Sequence, residues 1–167
     1  MNRSKMTAFY GLLTALALIM SYIEAQIPAF FAVPGMKLGL TNIVVLTALY
    51  LLGERSAVII NIVRIALAAA MFGNGVSFLF SLAGGCLSCL VMMLLKRTGR
   101  LSVVAVSAAG GVSHNVGQIL VAMLMLHTAG LAWYLLILWF SGMASGLVIG
   151  ILGGLLIRRL AGQFPAE

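Results

Sequence analysis

Long apolar runs, each closed by a short polar or glycine-rich break, make up nearly the whole chain. A helix needs about 20 predominantly apolar residues to cross ~30 Å of hydrocarbon. The first run, 6–27, follows Asn2, Arg3 and Lys5 and has no small-x-small cleavage site after it. It is therefore read as a retained helix and not as a removed signal peptide. Pro28, Pro34 and Gly35 mark a loop, and a shorter second run covers 37–52 before the polar turn Gly53-Glu54-Arg55. Between Ser56 and Leu95 the one formal charge is Arg64, and Gly73-Asn74-Gly75 divides that stretch into helices over 56–72 and 76–95. From Leu101 to Ile157 no Lys, Arg, Asp or Glu occurs. That length is too great for one crossing, and His127-Thr128-Ala129-Gly130 is the natural reversal point, giving helices over 101–126 and 131–157. The expectation is an all-α membrane protein, a single integral membrane domain over 1–167. Its fold would be a compact bundle of six transmembrane helices joined by short loops.

Composition agrees. Hydrophobic residues form 63% of the 167-residue chain and charged residues only 8%, with a mean hydropathy of +1.18. A soluble domain carries roughly a quarter charged residues, so this chain lacks the polar groups to cover a water-exposed surface. The net charge of +7 does not point to nucleic acid, because the basic residues punctuate the apolar runs and form no single patch. They act instead as orientation signals. With six helices and a cytoplasmic N-terminus, Arg3, Lys5, Arg55, Lys96, Arg97, Arg100, Arg158 and Arg159 all fall inside. Lys37 alone falls outside, and Arg64 lies within the membrane. Both termini are then expected on the cytoplasmic face of the plasma membrane. Trp133, Tyr134 and Trp139 fall toward the outer interface, where aromatic belts form.

Polar groups at membrane depth are the most informative residues, since burying one without a partner is costly. Asn61 and Arg64 stand three apart on helix three. Ser107, Gly111, His114 and Gln118 form one stripe at helical period on helix five, with Asn115 beside it. By rise per residue, His114 and Arg64 lie at similar depth. Asn42 and Lys37 are expected above that level. These groups either line a midplane pocket, with Arg64 as the partner of an anion, or satisfy one another and hold helices together. Glu24 lies toward the outer end of helix one, so pairing with Arg64 would need tilt and long reach.

Small residues recur at four-residue spacing: Gly142, Gly146, Gly150 and Gly154 on helix six, Thr7, Gly11 and Ala15 on helix one, and Ser77, Ser81, Gly84/Gly85 and Ser88 on helix four. Such faces let backbones approach closely, and internal packing is the expected use of most. Cys86 and Cys89 stand at i, i+3 without a nearby third ligand and read as packing residues, so neither a metal nor a cofactor is expected. The ten methionines read as core or lipid-facing residues.

The segments Pro34-Gly35-Met36-Lys37-Leu38-Gly39-Leu40-Thr41-Asn42-Ile43 and Ser113-His114-Asn115-Val116-Gly117-Gln118 resemble the family described as heptaprenyl diphosphate synthase component I, also called the Gx transporter family. The likeness runs from helix one through helix six. That family is similar to the substrate-binding S components of energy-coupling factor vitamin transporters. These are six-helix proteins that hold a ligand toward the outer side and dock on a transmembrane T component bearing two ATPases. The resemblance implies that Gly11 and Ala15 stand for the small-residue docking pattern on helix one, and that the loop Pro28–Met36 acts as a lid. Lys37, Asn42, Asn61, Arg64, His114, Asn115 and Gln118 are the candidate substrate-binding residues.

The chain cannot supply prenyl-diphosphate chemistry alone. Such enzymes hold diphosphate through Mg²⁺ on Asp-rich motifs, whereas this chain has no Asp, and Glu24, Glu54 and Glu167 lie far apart. Nor does it carry a Gly-x-x-x-x-Gly-Lys-[Ser/Thr] phosphate loop to power transport. It is therefore not expected to be an enzyme. Three readings stand: a substrate-capture component of an ATP-driven importer, a non-catalytic membrane subunit of isoprenoid or quinone synthesis, and a small proton-coupled carrier using Glu24 and His114. No inverted repeat of the kind many carriers show supports the last.

Overall fold

The computed structural model describes residues 3–26 and 39–163. They form six α-helices: α1 (Arg3–Gln26), α2 (Asn42–Leu51), α3 (Glu54–Phe72), α4 (Gly75–Arg97), α5 (Val103–Leu126) and α6 (Tyr134–Leu160). Five of these are long and apolar enough to cross a membrane, and the chain is an all-α membrane protein. The exception is α2. Its ten residues span only about 15 Å at 1.5 Å per residue, yet it is the most enclosed helix, with Val44 through Leu49 all buried.

The helix ends follow local chemistry. Asn74 caps α4 by accepting from Ser77 N at 2.8 Å, and Ser102 caps α5 by accepting from Ala105 N at 3.2 Å; each satisfies an amide left open at a helix start. At the expected reversal, His127 takes the left-handed conformation (φ 48°) and ends α5. The next residues, Ala129–Trp133, wind as a 3₁₀ turn, so α6 starts three residues later than the expected 131 and runs on to Leu160.

The basic residues near helix ends gather at one end of the bundle. Arg97 forms a bidentate pair with Glu54, and Lys96 Nζ donates to Leu49 O at 2.8 Å while lying over the Tyr50 ring. These contacts hold the end of α4 against the end of α2 and the start of α3.

The closest packing joins α5 and α6. A Cβ added to Gly111 would stand 2.2 Å from Gly142 O, and one added to Gly146 would stand 2.7 Å from Ala108 Cα. Only glycine permits that approach. The stripe Gly142-Gly146-Gly150 is therefore internal packing, while Gly154 meets nothing closer than 4.0 Å. On α1 the buried face is Leu13, Ala17, Ser21 and Glu24. Gly11 and Ala15 sit two residues from Leu13 and Ala17, about 200° around a helix. That turns them outward: Thr7, Gly11 and Ala15 are all exposed, and nothing approaches a Cβ placed on Gly11 within 4 Å.

Candidate functional site: a polar interior around the α2 start and the Gly84-Gly85 step

The short α2 decides where the polar interior lies. Asn42, its first residue, donates to Ser88 Oγ at 3.1 Å, and Leu49 near its end meets Lys96. The helix thus runs parallel to the second part of α4 only, and its first turn begins about 20 Å along α4 from Gly75. Asn42 was expected above the level of His114; it lies one helical turn beyond Gly84, toward the basic end, because α2 starts deep in the bundle.

The first amides of α2 bond back to the carbonyls of Gly39, Leu40 and Thr41, and the donors of that buried turn need a partner of their own. Glu24 is that partner. Its carboxylate accepts from Gly39 N, from Leu40 N at 3.1 Å and from the Thr41 hydroxyl at 3.4 Å, and Ser21 Oγ lies 3.1 Å from Thr41 Oγ1. Gly39 has φ +80°, in the left-handed region that glycine adopts without strain. A Cβ there would stand 3.3 Å from the His114 ring. Ser21, Thr41 and Ser88 were not among the expected site residues, and Glu24 entered only as a group of the proton-coupled carrier reading. Buried carboxylates and hydroxyls at membrane depth were the available signal, and all four are at least 95% buried.

Consecutive glycines on α4 divide the rest. A Cβ on Gly84 would stand 3.1 Å from His114 Cε1, and one on Gly85 would stand 3.1 Å from Arg64 Nη2. Arg64 and His114 therefore sit at one level, on two flanks of α4. On the α5 flank, Gln118 Nε2 lies 2.9 Å from His114 Nε2, and both side chains are buried. On the α3 flank, Arg64 donates to Asn61 Oδ1 from Nε (3.2 Å) and Nη2 (2.9 Å), while Asn61 Nδ2 donates to Gly85 O at 3.0 Å. Asn115 joins neither group: its Nδ2 donates to Leu138 O at 2.7 Å and Ser141 Oγ at 3.2 Å, tying α5 to α6. Lys37 and the loop Pro28–Met36 lie outside the described residues.

Glu24 is not ion-paired with Arg64. Among the described residues the ion pair within 4.0 Å is Arg97–Glu54. Nor do three His, Cys, Asp or Glu side chains cluster among the described residues. Cys86 is exposed and Cys89 buried, so the pair does not face one site. The interior is thus a set of amide, imidazole, carboxylate, hydroxyl and guanidinium groups, suited to hydrogen-bonding a ligand.

No curated protein and no solved structure matches the chain. The model of the family described as heptaprenyl diphosphate synthase component I matches residues 13–156, which spans α2 through α5 and most of α1 and α6. The chain belongs to that family.

Proposed function

We propose that this protein is the substrate-capture component of an ATP-driven importer of the energy-coupling factor type. It would take up a small, strongly hydrogen-bonding organic molecule across the plasma membrane, with both termini cytoplasmic. The observation that carries the reading is the interior start of α2. Irregular backbone at membrane depth is tolerated where it is buried in protein or lines a cavity, and discontinuous helices mark binding sites in many carriers. Here the start of α2 is held by Glu24 beside Asn42, His114 and Gln118. On this reading Asn42, His114 and Gln118 contact the ligand, Glu24 fixes the turn beneath it, and Lys37 with the preceding loop closes over it. The outward small face at Gly11 and Ala15 is the docking surface for a transmembrane T component carrying the ATPases. The test is extraction of small molecules from the chain purified out of its native membrane. A single compound should be retained, and Asn42→Ala and Gln118→Ala should release it without loss of folded protein; no retained compound in the wild type would count against capture.

The family description supports a second reading, a non-catalytic membrane subunit of heptaprenyl diphosphate synthesis. Without Asp the chain lacks the carboxylates to hold Mg²⁺ and diphosphate, so catalysis would rest with a separate subunit.

A further inference from the structure

The mid-helix hydroxyls of this bundle mostly turn back on their own helix. Thr47, Ser56, Ser113, Ser141 and Ser145 each donate to a carbonyl three or four residues earlier, the usual resting place for a hydroxyl in an apolar setting. Ser77 and Ser81 differ. They stand one turn apart on α4, Ser81 is 95% buried, and neither hydroxyl bonds to another described residue. Both line a crevice of about 10 Å³ between α3 and α4, closed by Ile65, Ala68 and Phe78 and leading toward the Gly73 turn. Arg64 forms its inner end.

A guanidinium has five N–H donors. Arg64 uses two on Asn61 Oδ1, a neutral acceptor, and three remain. The side chain is 98% buried, and among the described residues no carboxylate stands within 4.0 Å of it. Glu24, the one other buried charge among the described residues, is engaged by Gly39, Leu40 and Thr41. A buried cation of this kind calls for an anion. Arg64, Ser77 and Ser81, with their spare donors, line this one space.

We infer that the α3–α4 crevice is a binding site for a compact monoanion, held by Arg64 with Ser77 and Ser81. The occupant is either a free inorganic anion or the carboxylate tip of a larger molecule, for the two present the same chemistry to these donors. The site lies between α3 and α4, whereas His114 and Gln118 meet α4 from α5, and it does not depend on the capture reading.

The experiment titrates the purified full-length chain, in lipid nanodiscs at constant pH and ionic strength, with sodium bromide or sodium formate in place of sodium gluconate. Gluconate is too bulky for the crevice. Bromide or formate should raise the Tm by about 2–4 °C at saturation. Arg64→Gln should abolish the rise. Ser81→Ala should leave the Tm in gluconate unchanged and raise the half-saturating concentration roughly tenfold, the effect of one lost hydrogen bond to a charge. A response to both anions identifies a free-anion site, and a response to formate alone identifies a carboxylate site. Should Arg64→Gln fail to fold, Ser77→Ala with Ser81→Ala decides alone. The inference is overturned if neither anion differs from gluconate, or if the hydroxyl variants respond as the wild type does.

Discussion

Asn42 and Ser88 meet at 3.1 Å, although one opens α2 and the other lies just past the midpoint of α4. This contact makes α2 a half-length helix whose N-terminus is in the protein interior. The helix is held there by Glu24, which lies on a different helix and fifteen residues from Gly39 in sequence. The turn into α2 is therefore held by one carboxylate.

Glu24→Gln keeps the size of the side chain and removes the charge that three donors share. We expect a loss of about 1.5–3 kcal/mol, the range for hydrogen bonds to a charged group. Hydrogen exchange should localise the effect to the amides of residues 39–44, with α5 and α6 unaffected. Unchanged protection there would mean that Glu24 does not hold the turn.

The glycine contacts predict opposite outcomes on two helices. Gly111→Ala drives a methyl group into Gly142 O and should cost about 1–3 kcal/mol or more, the usual penalty of overpacking. Gly11→Ala meets open space and should change stability by no more than about 0.5 kcal/mol. Unfolding of both variants in one detergent system checks the pair, and equal losses would contradict the outward placement of the α1 face.

Orientation follows from the gathering of Arg55, Lys96, Arg97, Arg100, Arg158 and Arg159 at helix ends. In a background lacking Cys86 and Cys89, a cysteine at Asn74 should react with an impermeant thiol reagent in intact cells. A cysteine at Thr98 should stay unlabelled. Labelling of Thr98 from outside would invert the arrangement.

Much of this architecture can be read from the amino-acid order. The breaks at Gly53-Glu54-Arg55, Gly73-Asn74-Gly75 and His127–Gly130 interrupt apolar runs so long that helices on either side are forced, and each falls at or beside a helix boundary. The start of α2 is different. Leu38–Leu52 is apolar nearly throughout, and nothing local says that helix begins only at Asn42. That boundary is set by Glu24 from another helix, which periodicity cannot register. Within the polar interior, the i, i+4 spacing of His114 and Gln118 already places them together, as the i, i+3 spacing does Asn61 and Arg64. Asn115, next to His114, points about 100° away by helix geometry, and its attachment to Leu138 depends on how α6 packs. The use of Ser77 and Ser81 was hidden for a related reason. On a helix rich in small residues they look like more of the same, and their unengaged hydroxyls show only when Arg64 is seen across the seam.

The most direct test of the capture reading is purification of the tagged chain from its native membrane, with and without Gly11→Leu and Ala15→Leu, followed by identification of the subunits that come with it. The wild type should bring a transmembrane T component and ATPase subunits. The double variant should remain folded and inserted yet lose them, because bulky side chains hold the backbones apart. A soluble prenyl transferase retained equally by both forms, with no ATPase present, would contradict the account and favour the biosynthetic subunit.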